Sequence, residues 1–434
     1  MRASIRPEWI TRDMELLLAA RMLMSAARAF AGIVVPIYLA LIGYSGFLLG
    51  LLFTVVALTS AVLAGCVGLL ADRFGRKAFL IIIPWFAAVA AIVFAFSQAM
   101  ALIFIFAALG SFGRGAGAGS GTIGPYQPAE QALLADAVAA QHRNKLFGRI
   151  AFASSLGSLI GTGVLAELPV ILSWFGLPVL QGLIKYRLMF LLMAGIALGA
   201  GLLALPVSEP KHTALSSVQH QPVGKQRRGI QLSRQSWFVL LRLWVTNSVN
   251  GLAVGFFGPF ITYWFYRRYG AGTETVGLLY TVINLVAMFG NLGAARFAER
   301  LGLVRAITIS RTLQAVLILP MILMPNFWLA GGVYLLRMLA QRIGLPLRQS
   351  YVLGVVRSEE RGTVGALSNL PSQVTSAASP SLAGYLFDHV SLSLPFEIGA
   401  ILQGTNTLIF YLFFHDLQPP EEKSEERQAR SPSG

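Results

Sequence analysis

Twelve apolar stretches, each near or above the length of a bilayer crossing, constrain this chain more than any other feature. They run over roughly 15–42, 46–70, 78–98, 101–137, 147–168, 187–206, 237–265, 275–297, 304–324, 328–356, 362–388 and 395–415. A spanning helix needs about 20 mostly apolar residues. Several stretches exceed that, which implies tilt, kinks or protruding ends. Of 434 residues, 55% are hydrophobic and 12% charged, where a soluble chain would carry about one quarter charged. The bilayer is therefore the solvent to reason against. Residues 1–15 carry Arg2, Arg6, Glu8, Arg12, Asp13 and Glu15. The apolar sequence that follows is too long for the core of a cleaved signal peptide.

The net charge of +15 invites a nucleic-acid reading, but the positions of the basic residues argue otherwise. With the N-terminus inside, 22 of 34 fall on cytoplasmic ends and loops, in clusters such as Arg73-Arg76-Lys77, Arg143-Lys145-Arg149 and Lys225-Arg227-Arg228-Arg234. The opposite side holds Lys185, Arg187, Arg267 and Arg268. This is the positive-inside asymmetry, and it orients both termini to the cytoplasm. The lone Cys66 excludes an internal disulfide.

The chain also repeats itself. Gly68-Leu-Leu-Ala-Asp72-Arg73-Phe-Gly75-Arg76-Lys77 returns in worn form as Ala295-Arg-Phe-Ala-Glu299-Arg300-Leu-Gly302, and Gly50-Leu-Leu-Phe-Thr-Val55 returns as Gly277-Leu-Leu-Tyr-Thr-Val282 at the same offset. Pro36-Ile-Tyr38 answers Pro259-Phe-Ile-Thr-Tyr263. Internal repeats in a membrane chain are the mark of a two-bundle, alternating-access architecture. The parts are an N-terminal six-helix bundle (1–206), a polar basic linker (207–234), a C-terminal six-helix bundle (235–417) and a tail of disorder-like composition (418–434). An apolar segment at 168–184, broken by Pro169, Gly176 and Pro178, reads as an external hairpin or interfacial helix, with a partner contact or partial gate as alternatives.

With these residues in view, the chain resembles the major facilitator superfamily over nearly its whole length. That family's signature after its second helix, G-x-L-A-D-R-x-G-R-K, is met at every fixed position from Gly68 to Lys77. The fourth span fits as well, with Arg114 ahead of Gly115, Gly117 and Gly119, then Glu130, Gln131 and Asp136, and then Arg143 with Phe147-Gly148.

The charged turn has two readings. The resemblance implies a cytoplasmic latch between the halves, built from Gly68, Asp72, Arg73, Gly75, Arg76 and Lys77 with Asp136, and answered by Glu299 and Arg300. Exposed pairs contribute at most about 1 kcal/mol each, which suits a latch that must open. The plainer reading has Asp72 capping the third helix while the bases obey positive-inside.

Eight arginines fall inside spans: Arg21, Arg28, Arg114, Arg242, Arg311, Arg337, Arg342 and Arg348. At 1.5 Å per residue, Arg28 and Arg114 lie roughly 20 Å, and Arg337 roughly 15 Å, from the starts of their helices. All three are thus near the midplane of a core about 30 Å thick. An arginine there costs about 2.5–3.5 kcal/mol even on lenient scales, so it faces a partner or a watery cavity. Glu130 is the one carboxylate within the spans away from their ends. The resemblance implies that the first, fourth, seventh and tenth helices line the cavity. A positively charged cavity with Arg28, Arg114 and Arg337 at its centre and Arg21 beside them suits carboxylates, phosphates or sulfates. Asn247, Asn250, Gln127, Gln131 and Tyr38 (with Tyr126) would supply neutral contacts. The alternative is that these arginines bond helix-end carbonyls and hold kinks.

A resemblance to drug/proton antiporters competes with the anion reading. Gly148, Gly157 and Gly161 stand at the spacing of their fifth-helix pattern, though Thr162 follows where proline belongs. Small residues that let helices pack give the same spacing. Arginine does not deprotonate, so under proton coupling Glu130 is the leading carrier, with Asp13 or Glu15 next. No phosphate loop, metal spacing or nucleophile elbow is present.

The sequence thus predicts an all-α membrane protein with twelve transmembrane helices in two pseudo-symmetric six-helix bundles. It reads as a monomeric secondary transporter of the cell (plasma or inner) membrane. The expected cargo is a small organic or inorganic anion, with no cofactor, no metal and no nucleic-acid partner. Proton-coupled multidrug efflux is the alternative, and a non-transporting sensor or scramblase on the same scaffold is a remote one.

Overall fold

Inside hydrocarbon every backbone N–H and C=O must pair within the chain, and a helix satisfies that demand locally. The computed structural model describes residues 11–112, 124–136, 143–174, 182–208, 233–286, 302–355, 360, 364 and 367–415, and secondary structure there is helical. The first half holds α1 (Arg12–Leu41), α2 (Gly46–Phe74), α3 (Arg76–Phe96), α4 (Met100–Gly110), α5 (Tyr126–Asp136), α6 (Arg143–Ile160), α7 (Leu168–Trp174) and α8 (Gly182–Ala204). The second holds α9 (Arg234–Phe257), α10 (Ile261–Tyr269), α11 (Thr273–Val286), α12 (Leu303–Val316), α13 (Ile318–Leu323), α14 (Phe327–Val355), α15 (Leu370–His389) and α16 (Leu394–Phe414). Seven spans among the described residues are long and apolar enough to cross a membrane, and Met100–Gly110 and Thr273–Val286 are shorter apolar helices. Large apolar side chains face outward, among them Val62, Phe96, Leu323 and Ile401, as lipid contact requires.

Local chemistry sets the helix ends. The Thr11 hydroxyl accepts from the Met14 N–H at 3.3 Å and Ser45 accepts from Leu48 at 3.2 Å, capping α1 and α2. Gly75 alone separates α2 from α3 with φ +90°, and its repeat partner Gly302 precedes α12 with φ +77°. Only glycine takes that conformation cheaply, so the duplicated turn is real in the backbone. Gly75, not Asp72, occupies the N-cap of α3, and Asp72 lies inside α2. The plainer reading of Asp72 as a cap is corrected accordingly.

Three spans are interrupted. In the fourth, expected as one kinked helix, Ser111 ends α4 in the left-handed region (φ 55°), and α5 begins at Tyr126. The seventh breaks around Pro259, which removes a backbone donor. The fifth ends in a π-helical turn, Gly161–Leu165, of the kind that often marks a functional site. In the 168–184 segment, Leu168–Trp174 form a short helix.

Three buried clusters hold the molecule together. One joins both halves at the end away from the chain termini (the far end). It runs from Leu52 and Phe53 of α2 to Phe260 and Phe387 of the second half, with the Phe53 and Phe260 rings 5.5 Å apart, edge to face. The other two lie toward the terminal end and each belongs to one half. Met14, Leu17, Leu80, Leu134 and Leu146 form the first, and Leu240, Ile307, Tyr351, Phe410 and Phe414 form the second. Apolar burial therefore fuses the halves at the far end and keeps them distinct at the other.

Candidate functional site

Two of the candidate residues meet in the core of the first half. Arg21 of α1 and Glu130 of α5 form an ion pair, at 2% and 0% exposure. Arg21 Nε also donates to the Ser154 hydroxyl of α6 at 2.5 Å. Glu130 Oε1 and the nearby Tyr126 hydroxyl are buried with no hydrogen-bond partner among the described residues. One carboxylate oxygen is committed, and the other retains capacity for a proton.

Arg28 has a different task. Its Nη2 donates to the Ser111 carbonyl at 3.2 Å, and its guanidinium packs against Gly124, where a Cβ would lie 2.6 Å from Nη1. Ser111 closes α4 and Gly124 precedes α5, so Arg28 reaches both and satisfies one of the carbonyls that a helix end leaves open. This is the bonding that the kink-holding alternative describes.

Arg337 of α14 is the outlier. It is 6% exposed, its guanidinium carbon lies 3.9 Å from the centroid of the Phe257 ring, and its Nε finds no hydrogen-bond partner among the described residues. Tyr280 and Tyr334 stand beside it, their hydroxyls 3.5 Å apart. A buried cation is costly unless compensated, and aromatic faces compensate in part, by about 2 kcal/mol or more when desolvated. The arrangement is a cationic fork against an aromatic wall, with donor capacity to spare.

Asn247 and Asn250 belong to a separate network inside the second half. Arg348 Nη2 donates to Asn247 Oδ1 at 2.6 Å and to Asn369 Oδ1 at 3.1 Å, and Asn247 Nδ2 donates to the Ser368 carbonyl at 2.5 Å. Asn406 Nδ2 donates to Asn250 Oδ1 at 3.3 Å, and Arg311 stacks 4.5 Å from the centroid of the Phe410 ring. Tyr38 lies at the far end against Tyr186 and Phe190, lining a cavity of about 310 Å³ with Gln98 and Arg187. Gln127 lies in the first turn of α5 and its N–H donates to the Gly124 carbonyl. Among the described residues the sequence-predicted set is dispersed, with Arg21 and Glu130 brought into direct contact.

Arg114, Glu299 and Arg300 lie outside the described residues, as do the side chains of Gln131, Asp72, Arg73 and Asp136. Gly68 lies in α2, and Arg76 and Lys77 open α3.

The contacts between halves that sequence reasoning missed are at the far end. Asp388 of α15 accepts from the Gly46 and Phe47 N–H groups of α2 at 2.8 and 2.7 Å. Lys185 of α8 pairs with Glu274 of α11. Where the antiporter-like pattern would have proline, the Thr162 hydroxyl of the π-helical turn after α6 accepts from Asn284 Nδ2 of α11 at 3.4 Å and stands 3.3 Å from the Thr281 hydroxyl. Two of the three glycines in that pattern serve packing. A Cβ at Gly157 or Gly161 would overlap the backbone carbonyl of Met22 or Ala26 in α1, while Gly148 has open space.

Comparison with known proteins agrees with this architecture. The sequence matches the profile of the Major Facilitator Superfamily over residues 17–246 and again over 243–433. An uncharacterized membrane protein of Saccharomyces cerevisiae is 21% identical over 427 residues, covering 93% of this chain and 94% of that protein. The multidrug resistance protein MdtG of Proteus mirabilis is 22% identical over 383 residues, covering 85% and 86%. The crystal structure of the nucleoside transporter NupG superposes with a TM-score of 0.66 at 12% identity, covering 93% of this chain and 99% of that one. The chain is a multi-pass membrane protein with two six-helix bundles and a secondary transporter rather than an enzyme, and it belongs to the major facilitator superfamily.

Proposed function

We propose that this transporter moves an organic anion with an apolar body, bound in the second half at Arg337, by alternating access. The observation that carries the reading is the buried Arg337 guanidinium, stacked on Phe257 beside Tyr280 and Tyr334, with no acceptor at its Nε among the described residues. A carboxylate or sulfonate supplies the missing acceptor as a charge-assisted hydrogen bond, and the aromatic wall takes the apolar body. The far-end fusion of the halves supports an assembly closed there, with solute entering from the terminal end. That end is read as cytoplasmic from the distribution of basic residues.

Counterflow of aromatic carboxylates in proteoliposomes tests this. Wild-type protein is expected to exchange them and Arg337→Gln to lose at least tenfold of the rate. Equal exchange by both would overturn the assignment.

A second reading, proton-coupled multidrug efflux, is favoured by the Arg21–Glu130 pair, whose second carboxylate oxygen is unpartnered among the described residues, and by the name of the Proteus relative. Its mark would be proton-driven transport of lipophilic cations that needs Glu130 and ignores Arg337.

A further inference from the structure

Three elements from two halves converge where the far end closes on α6. The π-helical turn ends at Leu165, and Glu167 follows two residues beyond the end of that span. Across from it, Gly277 of α11 is so close that a Cβ there would stand 2.5 Å from Ala166 Cβ, 2.9 Å from the Thr162 carbonyl and 3.7 Å from Glu167 Oε1. Glu274, one turn earlier on α11, pairs with Lys185 of α8, and its other oxygen accepts from the Thr273 hydroxyl at 3.2 Å. Two carboxylates from opposite halves thus lie within electrostatic reach of one ammonium. Glu274 holds it, and Glu167 Oε1 is buried with no partner among the described residues.

We propose that Glu167 is a proton-binding site of the far-end gate, taking up a proton as α6 closes on α11 and releasing it when they part. The proposal rests on the alternating-access reading and not on the identity of the solute. The charged groups acting on Glu167 are Glu274 of α11 and Lys185 of α8. Tyr186 of α8 and Thr273 of α11 are the neutral groups around that pair, and Tyr266 of α10 faces Tyr186. The helix that continues from Glu167 begins with the apolar Leu168-Pro-Val-Ile171.

Closing the gate strips water from Glu167 and brings Glu274 toward it, and both changes favour the neutral acid. Parting the halves removes both. Burial first, and the Glu274 charge second, push the Glu167 carboxyl up to about 7, against a smaller downward pull from Lys185. A solvated glutamate titrates near about 4.3. The value is raised in the closed state, so protonation favours closure, fully below the solvated value, and this preference is lost as pH rises through about 7. Between the two values the closed-to-open ratio changes by up to about tenfold per pH unit. Each closing–opening cycle would then carry one proton on a group outside the solute site.

Spin labels at Val164→Cys and Leu278→Cys, both lipid-exposed and on opposite halves, read the gate directly. The background is Cys66→Ser, since Cys66 is exposed, and the full-length protein is held in nanodiscs without ligand. The short-distance population is expected to be larger at pH 5 than at pH 9 and to fall through a midpoint between about 4.3 and about 7. Glu167→Gln is expected to hold the short distance at every pH. Glu274→Gln removes the repelling charge and frees Lys185, so its midpoint is expected to move down by about a pH unit or more. Identical distributions at pH 5 and pH 9 in wild type, an unchanged response in Glu167→Gln, or an unshifted midpoint in Glu274→Gln would each overturn the proposal. No solute enters the measurement, so its failure leaves binding at Arg337 untouched, and failure of anion exchange leaves the gate result standing.

Discussion

The Asp388 carboxylate, on the last turn of α15, caps the N-terminus of α2, accepting from the Gly46 and Phe47 N–H groups with one oxygen each. Helix and cap belong to opposite halves, so an interaction that elsewhere ends a helix here ties two bundles together. Both the orphan donors and the helix dipole favour the carboxylate.

Asp388→Ala is therefore expected to weaken the far-end closure by about 1–2 kcal/mol, the usual cost of a lost cap. Asp388→Asn keeps an acceptor and should lose less. Maleimide labelling of a cysteine placed at Leu41, exposed at the end of α1, in a Cys66→Ser background, would rise in the order wild type, Asn, Ala. No change in Ala would contradict the role.

Arg21 and Glu130 are sealed in the first half, so neutralising either one strands the other charge. Arg21→Leu or Glu130→Leu alone should cost about 3–5 kcal/mol of stability, seen as a lower melting temperature in detergent. The double replacement should recover much of that loss. A double variant as unstable as the sum of the singles would show that the two do not act as a pair.

Glycine spacing on α6 makes a sharper packing test. Gly157→Ala and Gly161→Ala must push aside the backbone of α1, and overpacking of that kind costs about 1–3 kcal/mol. Gly148→Ala meets nothing within 4 Å and should be neutral or gain up to about 1 kcal/mol from helix propensity. Melting temperatures of the three variants decide it.

At the aromatic wall, Phe257→Leu keeps an apolar side chain but removes the ring face under Arg337. Anion affinity is expected to change by less than about threefold, because the anion itself compensates the charge. The unliganded protein should lose about 1–2 kcal/mol. Titration calorimetry and melting curves separate the two effects.

The duplicated turn was legible because it needs one residue type at one place. Gly75 and Gly302 are spaced as the repeat demands and both adopt positive φ. The two-bundle architecture followed from the same pattern. Depth along a helix is a count of residues, and that count puts Arg28 and Arg337 near the midplane. Depth does not say which way a side chain faces. Arg28 proved to bond the Ser111 carbonyl where α4 ends, beside Gly110, one of several glycines in that stretch that do not by themselves say where a helix stops. Asn247 and Asn250 point into a network within one bundle because Arg348 and Asn406 compete for them. Glu167, Glu274 and Lys185 were invisible for another reason. Charges at span ends are expected anyway, and only the approach of α6 to α11 brings those three together.

The most direct measurement is thermal-shift screening of the purified protein against aromatic carboxylates, inorganic oxyanions and lipophilic cations, with Arg337→Gln alongside. A ligand that binds the folded state raises apparent stability by mass action. Stabilisation of the wild type by the aromatic carboxylates, absent in Arg337→Gln, is the expected result. Stabilisation by cations alone, equal in the two proteins, would contradict an anion site at Arg337.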